Sequence, residues 1–157
     1  MQSYSITSHR MNIHELILVF LCGVGATLIF HQGCIYLFGK LQIIAVHPWD
    51  MTLIPSIKLP RVFFLSFLGG VLGLPAFYLG RTLQKMMPAI YYWIGLTLFG
   101  AIFFTLVEVF MLFPYYQVNT TPKMLVVGLI ANGLWGIGHA LCINFPLRNY
   151  QRRGKIF

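Results

Sequence analysis

The chain has 157 residues, of which 58% are hydrophobic, 16% aromatic and only 9% charged, with a mean hydropathy of +0.77. A soluble domain carries about a quarter charged residues to keep its surface wet. That excludes a soluble enzyme, a disordered tail, a coiled coil and a nucleic-acid-binding module. Eleven basic against three acidic residues give +8, but the basic ones lie in short stretches between apolar blocks. Such spacing marks membrane-flanking loops and not a phosphate-binding surface. The chain reads as one all-α, polytopic membrane domain.

A helix needs roughly 20 apolar residues to cross about 30 Å of hydrocarbon. Four blocks meet that length: Leu16 to Phe38, Val62 to Gly80, Ile90 to Phe113 and Met124 to Phe145. A four-transmembrane-helix bundle is the expected architecture. Before the first block Met1 to Glu15 is polar, the apolar run exceeds a signal-peptide core, and no Ala-x-Ala site follows, so a retained span is expected. Pro60, Pro88, Pro122 and Pro146 fall just outside the blocks, where a missing N–H costs little. Pro75 falls inside the second and is expected to kink it or end it early.

Four spans put both termini on one side. That side holds Arg10, Arg81, Lys85, Arg148, Arg152, Arg153 and Lys155, against Lys40, Lys58, Arg61 and Lys123 opposite. Seven against four predicts both termini in the cytoplasm. The basic tail from residue 146 to 157 reads as a topology anchor that touches anionic headgroups. Tyr91, Tyr92, Trp93, Tyr115, Tyr116, Tyr36 and Trp49 are placed as interfacial aromatics. Trp135, near the middle of the fourth span, is expected to pack against protein. The one long connection, 39–61, holds Pro48, Pro55 and Pro60, which argue for an extended segment over the outer mouth of the bundle.

Each span carries small or polar residues at helical spacing, the pattern that lets helices meet in lipid. The stripes are Gly23, Thr27, His31, Cys34; Ser66, Gly69, Gly73, Gly80; Thr97, Ala101, Thr105, Glu108; and Gly128, Asn132, Gly136, His139. Gly69, Gly73, Gly133 and Gly136 are the expected packing positions. Cys22, Cys34 and Cys142 all fall within spans and read as small buried residues. Partners follow from the same stripes: the lipid bilayer, and self-association or a larger membrane complex.

Glu108 is the most informative residue. A carboxylate inside hydrocarbon must be protonated, paired or facing water. At about 1.5 Å per residue, Glu108 lies roughly 7 Å from the outer edge, His31 roughly 10 Å and Asn132 roughly 12 Å. One layer can therefore hold all three, with Gln32 adjacent. The expected arrangement is a His31–Glu108 hydrogen bond backed by Asn132. It reads either as a structural lock or as a proton-responsive pair on a solute pathway. His139 lies about 12 Å below His31, which argues against a haem shared between them. It is expected to be hydrogen-bonded in the inner half, near Asn144. His47 with Asp50 reads as an ordinary loop pair, and no metal or other cofactor is expected. No Cys-x-x-Cys, His-Glu-x-x-His or phosphate loop occurs.

Phe30-His31-Gln32-Gly33, Asp50-Met51-Thr52 followed by Pro55, and Asn132-Gly133-Leu134-Trp135-Gly136-Ile137-Gly138 resemble a group of uncharacterised small four-span bacterial inner-membrane proteins. The resemblance runs from the first span to the fourth. It implies a bacterial cytoplasmic membrane and carries no activity with it. The expected function is a non-enzymatic accessory or structural membrane protein. The alternatives are a small transporter or channel subunit using Glu108 and His31 and, more weakly, a membrane enzyme acting on a lipid or quinone.

Overall fold

A computed structural model describes residues 12–116 and 119–153, with side chains described through residue 144. Four helices are long and apolar enough to cross a bilayer. They are α1 (Ile13–Lys40), α2 (Arg61–Met86), α3 (Ala89–Tyr115) and α4 (Pro122–Arg153), with Pro122–Asn144 as the apolar part of α4. The chain is a multi-pass membrane protein. No strand forms among the described residues beyond a single bridge between Leu53 and Pro60.

Local chemistry explains the helix ends. α1 begins three residues before the apolar block (Ile13 against the expected Leu16) because Asn12 and Glu15 form a capping box. Asn12 Oδ1 accepts from the Glu15 N–H at 2.8 Å, and the Glu15 carboxylate accepts from the Asn12 N–H at 3.2 Å. Pro60 and Pro88 immediately precede α2 and α3, and Pro122 opens α4, so no intrahelical donor is lost.

The prolines inside the helices do not end them. Of the two outcomes expected at Pro75, the early end does not occur, for α2 runs through it and past Gly80 to Met86. Inside a bundle the loss of one ladder bond is tolerated when neighbouring helices hold both halves. Pro146 does not mark the end of α4 either, since the helix continues to Arg153. The carbonyl that the proline leaves free is that of Cys142, close to the end of the apolar stretch at Asn144. The basic side chains of the tail, and residues 154–157, lie outside the described residues.

Helices adjacent in sequence pack side by side, and α4 closes the ring against α1. α1 and α3 therefore stand diagonally. The close approaches are made at glycine. A Cβ on Gly23 would overlap the Gly69 carbonyl, and one on Gly136 would overlap the Leu96 carbonyl. Gly69 would meet Thr27 Oγ1, and Gly73 would meet His139 Nε2 at 2.8 Å. Gly133 packs on α3 less tightly than the others: a methyl there would meet the Ala101 and Thr97 side chains at 3.6 Å and the Thr97 carbonyl at 3.8 Å, which is ordinary contact. Gly100, absent from the stripes, is tight instead, facing the Asn132 carbonyl.

The half of the bundle away from the 41–60 loop is closed. Trp135 is fully buried, edge-on to Phe104 with centroids 5.0 Å apart, and its Nε1 donates to the Gly23 carbonyl at 3.1 Å. Val19, Cys22, Phe77 and Ile143 fill the space below. Tyr92, expected among the interfacial aromatics, is buried against Gly80 instead. Outward-facing Ile17, Leu21, Ile29, Phe63, Phe67 and Phe110 make the continuous apolar face that a bilayer covers.

Candidate functional site

The loop end of the bundle is built differently. α1 widens into π-helix over Thr27–His31, and α3 does so over Phe99–Phe104 and again over Glu108–Leu112. A π turn inserts a residue and re-aims the side chains around it, which is why such turns gather at functional sites. His31 closes the π segment of α1, and Glu108 opens the second one in α3.

These two side chains meet across the bundle diagonal. His31 Nε2 lies 3.3 Å from Glu108 Oε1. Asn132 Nδ2, from α4, donates to Glu108 Oε2 at 2.8 Å and to Thr105 Oγ1 at 3.0 Å. Gln32 Nε2 stands 3.3 Å from His31 Nδ1, and Gln32 Oε1 accepts from the Trp49 backbone N–H at 2.7 Å. The residues are buried: Glu108 is 6% exposed, His31 5% and Asn132 0%. His31, Gln32, Glu108 and Asn132 are thus brought together in one network, which Thr105 and Trp49 extend at its two ends.

The network settles a tautomer. A backbone N–H can only donate, so the Gln32 atom facing Trp49 is the oxygen and the one facing His31 is the amide nitrogen. His31 Nδ1 is then an acceptor, and Nε2 carries the proton that it donates to Glu108.

Above this floor lies a cavity of about 240 Å³ to which all four helices and the loop contribute. Its walls are apolar, with Ile35, Val62, Leu65, Leu112 and Val127 among them. Arg61, Asp50, His47 and Tyr116 join its lining. Arg61 Nη1 donates to Asp50 Oδ2 at 3.1 Å, and its guanidinium lies 4.9 Å from the Tyr116 ring centre. Burial alone would push the Asp50 carboxyl up, but hydrogen bonds from Thr52 and the Arg61 charge outweigh it and hold the group below its ordinary value. The Arg61 Nε is buried with no hydrogen-bond partner.

The loop forms a cap more folded than an extended segment. Ile54 is fully buried, and turns at Gln42, Trp49 and Lys58 take positive φ. Trp49 is held at φ 50° by both of its N–H groups: the backbone on Gln32 and the indole on the Leu28 carbonyl at 3.0 Å. Asp50 pairs with Arg61 and Thr52, while His47 faces the cavity.

Two expected residues stand apart. His139 is fully buried and stacks flat on Trp135, with ring centres 5.2 Å apart, and its ring faces the Val19 backbone rather than the Asn144 side chain. Asn144 is beside the Tyr92 hydroxyl rather than at His139. One helical turn separates His139 from Trp135, so ring stacking takes up the imidazole face. Among the described residues, no group of three His, Cys, Asp or Glu side chains could hold a metal ion. Arg61 and Tyr116 carry only a topology or belt reading in sequence; their joint signal is that each ends a span on the loop side. No family model, curated protein or solved structure matches this chain.

Proposed function

We infer that the protein is a non-enzymatic solute-binding membrane protein, in the manner of a small transporter or channel subunit. A small molecule reaches Glu108 and His31 through the loop-side cavity. One observation carries this reading over the purely structural lock: the buried carboxylate lines an open space. A lock needs its polar groups satisfied by one another and gains nothing from a cavity beside them, whereas a binding site needs both. The closed half, sealed at Trp135 and the glycine contacts, argues for access from the loop side alone in this conformation. The excess of basic residues beside the termini, together with the motif resemblance, supports a bacterial cytoplasmic membrane with both ends inside and the loop outside. The basic tail then meets anionic headgroups.

Cysteine labelling tests access. In a chain whose three native cysteines are replaced, Val127→Cys should react with a small charged thiol reagent applied to the loop side. Ala140→Cys, fully buried in the closed half, should not. Protection of both positions would return the polar cluster to a structural role.

A further inference from the structure

The charges and hydrogen-bond valences around the cavity specify what it holds. Its lining contains two carboxylates, Asp50 and Glu108, and one guanidinium, Arg61, which is bonded to Asp50. His31 accepts at Nδ1 from Gln32 and so brings no positive charge to Glu108. His47 is the other titratable ring in the lining, and Tyr116 the phenol. From α4 the carboxylate is faced by the neutral Asn132, and from its own helix that amide is met by Thr105. Among the described residues, the Glu108 charge thus has no cation of its own.

Donors and acceptors are unequal in the same sense. His31 Nε2 and Asn132 Nδ2 already spend their protons on Glu108, with the second Asn132 proton on Thr105. Each Glu108 oxygen has received one hydrogen bond and can accept another. Asn132 Oδ1, fully buried behind the carboxylate and outside the cavity lining, has no hydrogen-bond partner among the described residues and gives Glu108 no further donor. What the floor lacks is a positively charged donor, and what the walls offer is apolar surface.

We propose that the cavity binds a small primary ammonium with an apolar body, its charged head on Glu108, in exchange for a proton. An ammonium supplies both the missing charge and up to three donors. A proton on Glu108 removes the same charge, so the two occupants exclude each other. This assignment rests on the cavity being a binding site.

Calorimetric titration of the full chain in lipid nanodiscs, with butylammonium, butanol and butanoate, separates the contributions of head and body. The ammonium should bind at least about tenfold more tightly than the alcohol, and the carboxylate should not bind measurably. Ammonium affinity should fall as pH is lowered, approaching about tenfold per unit where the proton occupies the site. Glu108→Gln, which keeps the shape of the side chain, should abolish the preference for the ammonium over the alcohol. Should that variant fold poorly, the pH series on the native chain decides the same question. Butanoate binding as tight as butylammonium would assign the site to Arg61 and overturn the proposal, as would an ammonium affinity independent of pH. If none of the three binds while Val127→Cys is labelled, the ammonium assignment falls and the open cavity stands. A Val127→Cys that stays unlabelled removes both.

Discussion

Trp49 donates its backbone N–H to Gln32 Oε1 at 2.7 Å, and that bond fixes which way the Gln32 amide faces His31. The cap and the floor of the cavity are thereby parts of one hydrogen-bonded chain. It runs from the loop through Gln32, His31 and Glu108 to Asn132 and Thr105, linking α1, α3 and α4. Loop position and imidazole tautomer are coupled. A proton on His31 Nδ1 would face the Gln32 NH2, two donors in contact, and relief would require the amide to turn and release Trp49.

Gln32→Leu should therefore act at both ends. The Trp49 N–H loses its acceptor and His31 Nδ1 its donor. Hydrogen exchange at Trp49 should rise by about tenfold or more, corresponding to the loss of roughly 1–2 kcal/mol of local hydrogen bonding. Nitrogen NMR of the native chain should show His31 protonated at Nε2. A ring protonated at Nδ1 alone would contradict the tautomer.

Much of this architecture is legible in the amino-acid order, because bilayer thickness imposes a length on every span and leaves buried acids few choices. Counting residues from the span edges places His31, Glu108 and Asn132 in one layer, and the distances agree. Counting fails where the helix stops being regular. The π turns at Thr27–His31 and Glu108–Leu112 have no composition signature, yet they aim the two side chains at each other across the diagonal. The Arg61–Asp50 pair is equally hidden, since 10 residues of irregular loop separate the two and only the folded cap brings them together. Glycine spacing marks which faces pack but not which glycines touch, so it points to Gly133 and passes over Gly100.

That last distinction is measurable. Gly136→Ala places a methyl on the Leu96 carbonyl, and Gly69→Ala places one on Thr27 Oγ1, both close overlaps between spans. Each should destabilise the bundle by about 1–3 kcal/mol. Gly133→Ala, whose methyl meets nothing nearer than 3.6 Å, should stay within about 0.5 kcal/mol. Thermal unfolding of the three variants in the same detergent compares them directly. A loss at Gly133 equal to that at Gly136 would mean that the α3–α4 seam is uniformly close and not looser at Gly133.

Asn132→Leu should cost stability as well as binding. It removes the 2.8 Å donor from Glu108 and leaves Thr105 Oγ1 without its partner. Interhelical polar contacts in membranes contribute roughly 0.5–2 kcal/mol, and a loss in that range is expected on unfolding. Asn132→Asp would put a second carboxylate against Glu108 with no new cation, so one proton should bind to the pair and the variant should lose the most stability near neutral pH and recover in acid. A pH-independent loss would show that the two side chains do not share a site.

The mouth of the cavity responds to acid through Asp50. Its carboxyl titrates below the ordinary value of 3.8 because Thr52 and Arg61 favour the charged form more than burial opposes it. A group with a lowered folded-state pKa contributes its full stabilisation above the unfolded value, and loses it as pH falls through the folded one. The Asp50–Arg61 clasp should therefore hold unchanged from neutral pH down to about pH 4 and open only below that. Asp50→Asn should abolish this acid transition while leaving the Thr52 N–H an oxygen to donate to. Hydrogen exchange of the Thr52 and Val62 amides, the second of which donates to the Asp50 carbonyl at 3.0 Å, reports the clasp residue by residue. Arg61 loses its carboxylate partner when the clasp opens, which leaves Glu108 as the acidic group of the cavity lining that balances it. Ammonium binding should weaken at that point beyond what proton competition at Glu108 accounts for, and Asp50→Asn should show that extra weakening already at neutral pH. Identical ammonium affinities in the native chain and Asp50→Asn would separate the mouth from the floor electrostatically.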